Sequence, residues 1–87
     1  MDLNALFEQA EQAYYANDYD KAIEIFTKII AIDPKNAKAF NGRGVSHAAL
    51  NNHQSSIADY DKTIELDPKY ANAFYNRGVS KKALGDD

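Results

Sequence analysis

The side chains best suited to chemistry occur as pairs, and the spacing of each pair decides what it can do. His47 and His53 are the only histidines, and they stand six residues apart across a turn, with no cysteine anywhere in the chain. A zinc site combines three or four nitrogen, sulfur or carboxylate ligands, so two histidines at this spacing do not predict one. We expect His53 to be a packing residue and His47 to lie at an interface between helices.

Carboxylates and hydroxyls form two further pairs. Asp59 and Asp61 are two residues apart, and residues at that spacing on a helix point to different sides. Ser55 and Ser56 have no recognisable base or oxyanion donors beside them, so we interpret them as the start of a helix. Because no group of residues combines a nucleophile, a base and a stabilising donor, the sequence predicts no catalytic site and no enzyme.

The glycine-rich segment Gly42-Arg43-Gly44 invites comparison with phosphate-binding loops. Such loops follow a strand and open a helix, whereas this segment lies inside a predicted helix. The chain also carries a net charge of −3 and has a pI near 5.2, while nucleic-acid binders present a positive field. The sequence therefore predicts no cofactor, no metal and no nucleic-acid partner. RNA binding by helical repeats is a third class of function, and the negative charge argues against it.

A repeat of 34 residues organises the chain. The segment 32–35, Ile-Asp-Pro-Lys, returns at 66–69 as Leu-Asp-Pro-Lys, and the segment 40–46 matches the segment 74–80 at the same offset. A fixed period of this length indicates stacked supersecondary units, in which each unit buries its apolar face against a neighbour.

The apolar spacing within each unit is helical. Ala22, Phe26 and Ile29 follow steps of three and four residues, which place them on one face of a helix. The same spacing recurs along the chain, and it predicts five helices near residues 3–16, 19–32, 37–50, 53–66 and 71–84.

Local signals end the predicted helices. Each Asp-Pro pair removes a backbone donor and disfavours helical geometry at the aspartate. The pairs at 17–18 and 51–52 consist of asparagine and aspartate residues, which cap helices and tolerate turns. Gly85 occupies a position that suits a left-handed cap.

Glycines inside the predicted helices need a separate explanation. Asn41-Gly42 is a hairpin signal when it is considered alone, but the equivalent pair at 75–76 carries no turn signal, so we place both pairs in helices. Gly42 then destabilises its helix by about 1 kcal/mol relative to alanine. Gly44 recurs as Gly78, and we expect both to let two helices approach closely.

At these positions the chain resembles the tetratricopeptide repeat. That family repeats a two-helix unit with a bulky and then a small residue in the first helix, an alanine and an aromatic residue in the second, and a proline in the closing turn. In the middle unit of this chain, Ser56 replaces the alanine. These places are filled in the three successive units by Leu6, Ala10, Ala22, Phe26 and Pro34, by Phe40, Gly44, Ser56, Tyr60 and Pro68, and by Phe74 and Gly78. The resemblance implies an all-α, right-handed solenoid of antiparallel helix hairpins, with two full repeats at 3–36 and 37–70 and the first helix of a third at 71–87.

The chain departs from the family pattern in three places. The segment 13–19 is shorter than usual before its turn, His53 replaces an aromatic residue, and the third unit stops at Asp87 after one helix, which suggests a part of a longer array. The chain begins without a secretion signal, and no apolar stretch approaches membrane-spanning length. We expect no membrane contact. The compartment stays open, with the cytoplasm favoured.

The resemblance also implies a concave groove lined by the first helix of each unit, where a protein or peptide partner would bind. Carried over position by position, the groove residues are Phe7, Glu11, Tyr14, Lys38, Asn41, Val45, Asn72, Tyr75, Asn76, Val79 and Lys82. Phe7 and Tyr75 are expected to supply apolar area, and the asparagines to hydrogen-bond a peptide backbone. Lys38 and Lys82 are expected to hold an acidic side chain or a C-terminus.

Some relatives grip the acidic C-terminal tail of heat-shock chaperones with two lysines, two asparagines and one arginine. The matching positions in this chain carry Phe7, Glu11, Gly42, Asn72 and Asn76. None is the required residue, and Glu11 would repel a carboxylate. We therefore expect this clamp to be absent.

A second hypothesis is that the chain is a structural module that associates end to end through helix 71–84. Residues 1–36 carry three lysines against seven acids, whereas residues 71–87 carry three basic residues against two acids. Opposite ends would attract each other, and head-to-tail contacts form open assemblies unless the rotation closes. The chain would then be a homo-oligomer.

Overall fold

The computed structural model describes residues 2–85 as five α-helices joined by short turns. The helices are α1 (Leu3–Tyr15), α2 (Tyr19–Ile32), α3 (Ala37–Ala49), α4 (His53–Leu66) and α5 (Ala71–Ala83). Each helix packs against the next one, and α3 also contacts α5. The predicted all-α solenoid of five helices is confirmed. The acidic residues Asp86 and Asp87, which the sequence places after the last helix, lie outside the described residues.

The helix ends follow the local signals closely. Asp33 and Asp67 cap α2 and α4 immediately before the two prolines, as predicted. Helices α1, α3 and α5 end one residue earlier than predicted, because the chain then turns into left-handed geometry at Asn17, Asn51 and Gly85, with φ of 65°, 63° and 87°. Asparagine and glycine tolerate this geometry, which lets the turn satisfy the last carbonyl groups of the helix.

The buried interior of the first hairpin differs from that of the region where α4 packs against α5. The α1–α2 hairpin buries aliphatic and aromatic side chains, among them Leu6, Ile25 and Ile29. The α4–α5 region instead buries small polar residues, and Ser56 and Ser80 are almost fully enclosed. The Ser56 hydroxyl donates to the His53 carbonyl at 2.8 Å and pairs with the Ser80 hydroxyl at 2.8 Å. These bonds satisfy the buried hydroxyls, so Ser56 has a packing role.

Two arginines at equivalent repeat positions, one on α3 and one on α5, make ion pairs with the same helix, α4. Arg43 on α3 donates two hydrogen bonds to Asp59 on α4, at 2.8 and 3.0 Å. Arg77 on α5 donates one bond of 2.8 Å to Asp61, also on α4. The prediction that Asp59 and Asp61 point to different sides of their helix is therefore confirmed. The Arg43–Asp59 ion pair is the stronger of the two, since Asp59 is buried and two charge-assisted hydrogen bonds fix its geometry.

Helix α3 meets aromatic rings at two glycines. A Cβ atom at Gly42 would lie 2.5 Å from the Phe26 ring, and one at Gly44 would lie 2.7 Å from the Tyr60 ring. The helical placement of Gly42 and the close approach at Gly44 are thus confirmed. The equivalent prediction for Gly78 is wrong, because no described atom lies within 4 Å of the Cβ position there.

This difference predicts opposite effects of one substitution at equivalent positions. Gly44→Ala should lower the free energy of unfolding, because overpacking costs about 1–3 kcal/mol and exceeds the gain in helix propensity. Gly78→Ala should raise it by up to about 1 kcal/mol, since alanine favours the helix and meets open space. Urea denaturation followed by circular dichroism measures both. Shifts of the two midpoints in the same direction would contradict the packing described for α3.

Candidate functional site

Two neighbouring pockets lie along the surface formed by α1, α3 and α5. The first, called here the tyrosine pocket, has a volume of about 160 Å³ and is lined by Glu11, Tyr14, Tyr15, Phe26, Lys38, Asn41, Gly42, Val45 and Tyr70. The second, called the adjoining pocket, has a volume of about 280 Å³ and is lined by Tyr14, Val45, Ala48, Ala49, His53, Tyr60, Asn76, Val79 and Ser80. Tyr14 and Val45 line both, so the two pockets adjoin each other and share these two side chains.

The structure brings together seven of the groove residues that the family resemblance implied. Five of them line the tyrosine pocket, and Asn76 and Val79 line the adjoining pocket. Asn72, Tyr75 and Lys82 are exposed on α5 and line neither pocket.

Phe7 was predicted to supply apolar surface to the groove, but little of its side chain is exposed in the structure. It is only 9% exposed and belongs to the core of the first hairpin. Its ring meets the Phe26 ring edge-on, with centroids 6.3 Å apart. The family resemblance placed Phe7 in the groove, but its ring is covered by its neighbours.

The charges beside the tyrosine pocket neutralise each other. Lys38 Nζ lies 3.8 Å from the Glu11 carboxylate and 4.6 Å from the centroid of the Phe7 ring. Both side chains of this ion pair are at least half exposed, so the pair contributes less than about 1 kcal/mol to stability. Neither Lys38 nor Glu11 therefore presents an unpaired charge beside the tyrosine pocket.

Tyr14 and Tyr70, which line the tyrosine pocket, are neutral hydrogen-bonding groups. Burial raises the pKa of Tyr14 and of Tyr70 above the usual value of 10. Tyr14 also meets Tyr15 and Tyr19 edge-on, with ring centroids 5.5 and 5.4 Å away. The walls therefore combine apolar ring surface with phenol groups that keep their protons at neutral pH.

Asn41 carries a buried acceptor that no described residue uses. Its Oδ1 atom is inaccessible to solvent and accepts no hydrogen bond from the described residues. An unsatisfied buried acceptor of this kind costs about 1–3 kcal/mol relative to a paired one. The Nδ1 atoms of His47 and His53 are buried and unpaired in the same way.

The histidines take up structural positions. His47 Nε2 lies 4.0 Å from the Asp59 carboxylate, so His47 lies at the α3–α4 interface, as expected. His53 is half-buried and lines the adjoining pocket. Within residues 2–85, no three His, Asp or Glu side chains converge as metal ligands.

Several residues that line the tyrosine pocket were not predicted from the sequence. Tyr70 precedes α5 in the turn after the second Asp-Pro pair, where the first unit has Asn36. A tyrosine in a short polar turn is a signal that could have identified it. Tyr15 is the last residue of α1 and is 81% exposed, which places it one position beyond the predicted stripe.

None of the helices in the described part of the chain has the length and apolar character needed to span a bilayer.

Tyr60 gives the site a measurable pH dependence. Burial raises the pKa of Tyr60 from 10 to about 12. Between these two pH values the unfolded chain has released a proton that the folded chain retains, so the free energy of unfolding falls as the pH rises above 10. Tyr60→Phe should reduce this fall, as measured by urea denaturation across that range, with Tyr75→Phe at an exposed tyrosine as the control. An undiminished fall in Tyr60→Phe would contradict the burial of the phenol.

Solved structures with this arrangement of helices come from several organisms. The TPR domain of Sgt2 from Aspergillus fumigatus superposes with a TM-score of 0.91 at 24% identity, and the match covers 94% of this chain and 54% of that one. The second TPR domain of human RPAP3, in complex with the HSP70 peptide SGPTIEEVD, gives a TM-score of 0.89 at 28% identity over 92% of this chain and 67% of that one. The second TPR of Spaghetti (RPAP3), bound to the HSP90 peptide SRMEEVD, gives 0.91 at 27% identity over 93% and 75%.

The comparison with family profiles agrees with the fold, whereas no protein with a curated description matches the chain at a significant level. The chain spans about half to two thirds of the length of the first solved structures it resembles. The family profile described as tetratricopeptide repeat matches residues 7–71, and the five helices form two hairpins and the first helix of a third. The chain therefore belongs to the tetratricopeptide repeat family.

Proposed function

We propose that the chain is a protein-interaction module that binds an extended segment of another protein along the two pockets, and that its role is binding and not catalysis. The observation that carries this proposal is the pair of adjoining pockets on the surface of α1, α3 and α5, which share Tyr14 and Val45. The similar domains that were solved with HSP70 and HSP90 peptides support the same kind of function.

An extended peptide suits this surface for a geometric reason. The two pockets lie side by side, so consecutive side chains of one strand-like segment can enter them while its backbone runs between them. Asn41 and Asn76 line different pockets, and each carboxamide can both donate to and accept from a peptide group.

The acidic chaperone tails of the similar complexes fit this groove poorly. The peptides in those structures end in Glu-Glu-Val-Asp. At the mouth of the tyrosine pocket, Lys38 is already paired with Glu11 at 3.8 Å. Gly42, at another position of the chaperone clamp, offers no side chain. We infer that the partner of this chain is a segment of different chemistry.

A charge placed in the adjoining pocket tests the proposal. Val79 is 51% exposed and lines that pocket, so Val79→Glu should leave the helices intact and weaken binding at least about tenfold, or 1.4 kcal/mol. Peptides selected from a random displayed library, resynthesised with a fluorophore, provide the ligands for anisotropy titrations.

Ala58→Glu is the matched control, since Ala58 is exposed on α4 and lines neither pocket. Circular dichroism checks that both variants are folded. The groove proposal fails if no peptide is enriched, or if the selected peptides bind the two variants equally well.

A second candidate function, end-to-end self-association, is favoured by the outer face of α5. Phe74 is 44% exposed, whereas its repeat equivalent Phe40 is 9% exposed. Gly78 faces open space where Gly44 meets the Tyr60 ring. An apolar face left open in this way is a candidate contact surface, and the acidic first unit would attract the basic residues near the other end.

Light scattering coupled to gel filtration tests self-association. The candidate predicts a mass above 9.7 kDa that rises with protein concentration, falls with added salt and returns to that of the monomer in Phe74→Glu. A monomer at every concentration would remove this candidate.

A further inference from the structure

We propose that the chain associates through two different faces, so that the outer face of α5 docks into a depression beside α1 of a second copy. The first, called here the tail face, consists of the exposed residues Phe74, Gly78 and Lys81. The second, called the head depression, has a volume of about 400 Å³ and is lined by Gln9, Gln12, Ala13, Ala16, Asp18 and Lys21. The inference rests on the self-association candidate and adds the receiving surface, which that candidate leaves open.

The head depression lies on a side of α1 that a neighbouring helix covers one repeat later. In α3, Arg43 donates to the Thr27 hydroxyl of α2 at 3.4 Å, and Ser46 is fully buried. The equivalent positions one repeat earlier are Gln9 and Gln12, and both are exposed. Among the described residues, α1 therefore has no helical neighbour on the side where α3 contacts α2.

The tail face is open on the opposite side of the repeat. In α3, Gly44 meets the Tyr60 ring of α4. One repeat later, no described atom lies within 4 Å of the Cβ position of Gly78. Helix α5 thus lacks a neighbour on the side where α3 contacts α4. The two open faces are the two halves of a helix contact, and docking one onto the other removes both from water.

Charge favours a contact between these two faces over a contact between two tail faces. Lys81 and Lys82 are exposed in the last turn of α5. On the other side, Asp18 lines the head depression, and the exposed Glu8 precedes Gln9 on α1, while Lys21 is the one cation in the lining. A tail-to-tail pair would bring the lysines of both copies together, whereas a head-to-tail pair brings them to the acids.

The size of the head depression suits an aromatic ring together with part of its helix. A cavity of about 150 Å³ holds one benzene molecule, so the larger volume here has room beyond a single ring. The Phe74 ring is 44% exposed, and the Arg77 guanidinium lies 5.4 Å from its centroid. Asp61 holds that guanidinium at 2.8 Å. The tail face therefore presents the ring beside a cation that is already paired.

This pairing of unlike faces determines how the assembly grows. Each contact uses one head depression and one tail face, so every added copy still offers a free face, and the assembly extends unless the rotation closes it into a ring. Neither face includes a residue that lines the two groove pockets. The grooves of the associated copies therefore stay open to peptides.

Two variants, each blocked at one face, test the pairing by light scattering coupled to gel filtration. Phe74→Glu places a carboxylate on the tail face, and Gln12→Lys places an ammonium group in the head depression. Each variant alone should associate at least about tenfold more weakly than the wild type, since burying an unpaired charge opposes the contact. An equimolar mixture should form a dimer of twice 9.7 kDa and nothing larger, because one intact head meets one intact tail.

Ala31→Lys is the matched control for Gln12→Lys. Ala31 is exposed on α2 and does not line the head depression, and the substitution changes the net charge by the same amount. It should associate as the wild type does. Circular dichroism checks that all three variants are folded.

A charge exchange tests which acids receive the lysines. Glu8→Lys and Lys81→Glu should each weaken association several-fold at low salt, and the double variant should recover most of the loss, because the exchanged charges again attract. A double variant as weak as the sum of its two single changes would show that these faces do not meet.

The outcomes separate this inference from self-association itself. If Gln12→Lys associates as strongly as the wild type, or if the mixture of blocked variants forms no dimer, the head depression is not the receiving surface, although self-association stands. A wild type that is monomeric at every concentration would overturn both.

Discussion

The absence of a side chain at two points of α3, where that helix meets its neighbours, is the constraint on which the rest of the structure depends. Gly42 faces the Phe26 ring of α2 and Gly44 faces the Tyr60 ring of α4, so α3 is held closely by the preceding helix and by the following one. Each glycine costs the helix about 1 kcal/mol relative to alanine, which the packing of the rings offsets. With these contacts made, Asn41 and Val45 are left on the remaining face of α3, where the two pockets meet.

The chemistry of the groove follows from which charges and polar atoms are already satisfied inside the chain. Lys38 and Glu11 are paired, Arg43 is held by the buried Asp59, and Arg77 is held by Asp61. No cation of these pairs is free to clamp an acidic tail. The Asn41 Oδ1 atom and the Nδ1 atoms of His47 and His53 are buried and find no partner among the described residues. Domains that share one fold can therefore differ in the polar groups that their grooves present.

Helix positions could be predicted from the sequence because their causes are local, whereas the site could be predicted only in part. Every helix end lies within one residue of its prediction, because these ends are marked by the two Asp-Pro pairs, the asparagines at 17 and 51 and Gly85. The family resemblance placed Glu11, Lys38 and Asn41 in one groove, and all three line the tyrosine pocket. It could not find Tyr70, whose position depends on the path of a turn, and it could not tell that Phe7 is covered. The repeat also implied that Gly78 packs closely, because Gly44 occupies the equivalent position. Gly44 faces the Tyr60 ring, whereas no ring lies opposite Gly78 among the described residues.

Nuclear Overhauser contacts between glycine Hα protons and aromatic ring protons test the central packing most directly. The close packing of α3 predicts strong cross-peaks from Gly42 to the Phe26 ring and from Gly44 to the Tyr60 ring, and no cross-peak from Gly78 to any aromatic ring. Loss of either α3 cross-peak in the folded protein, or ring contacts at Gly78 as strong as those at Gly44, would contradict it.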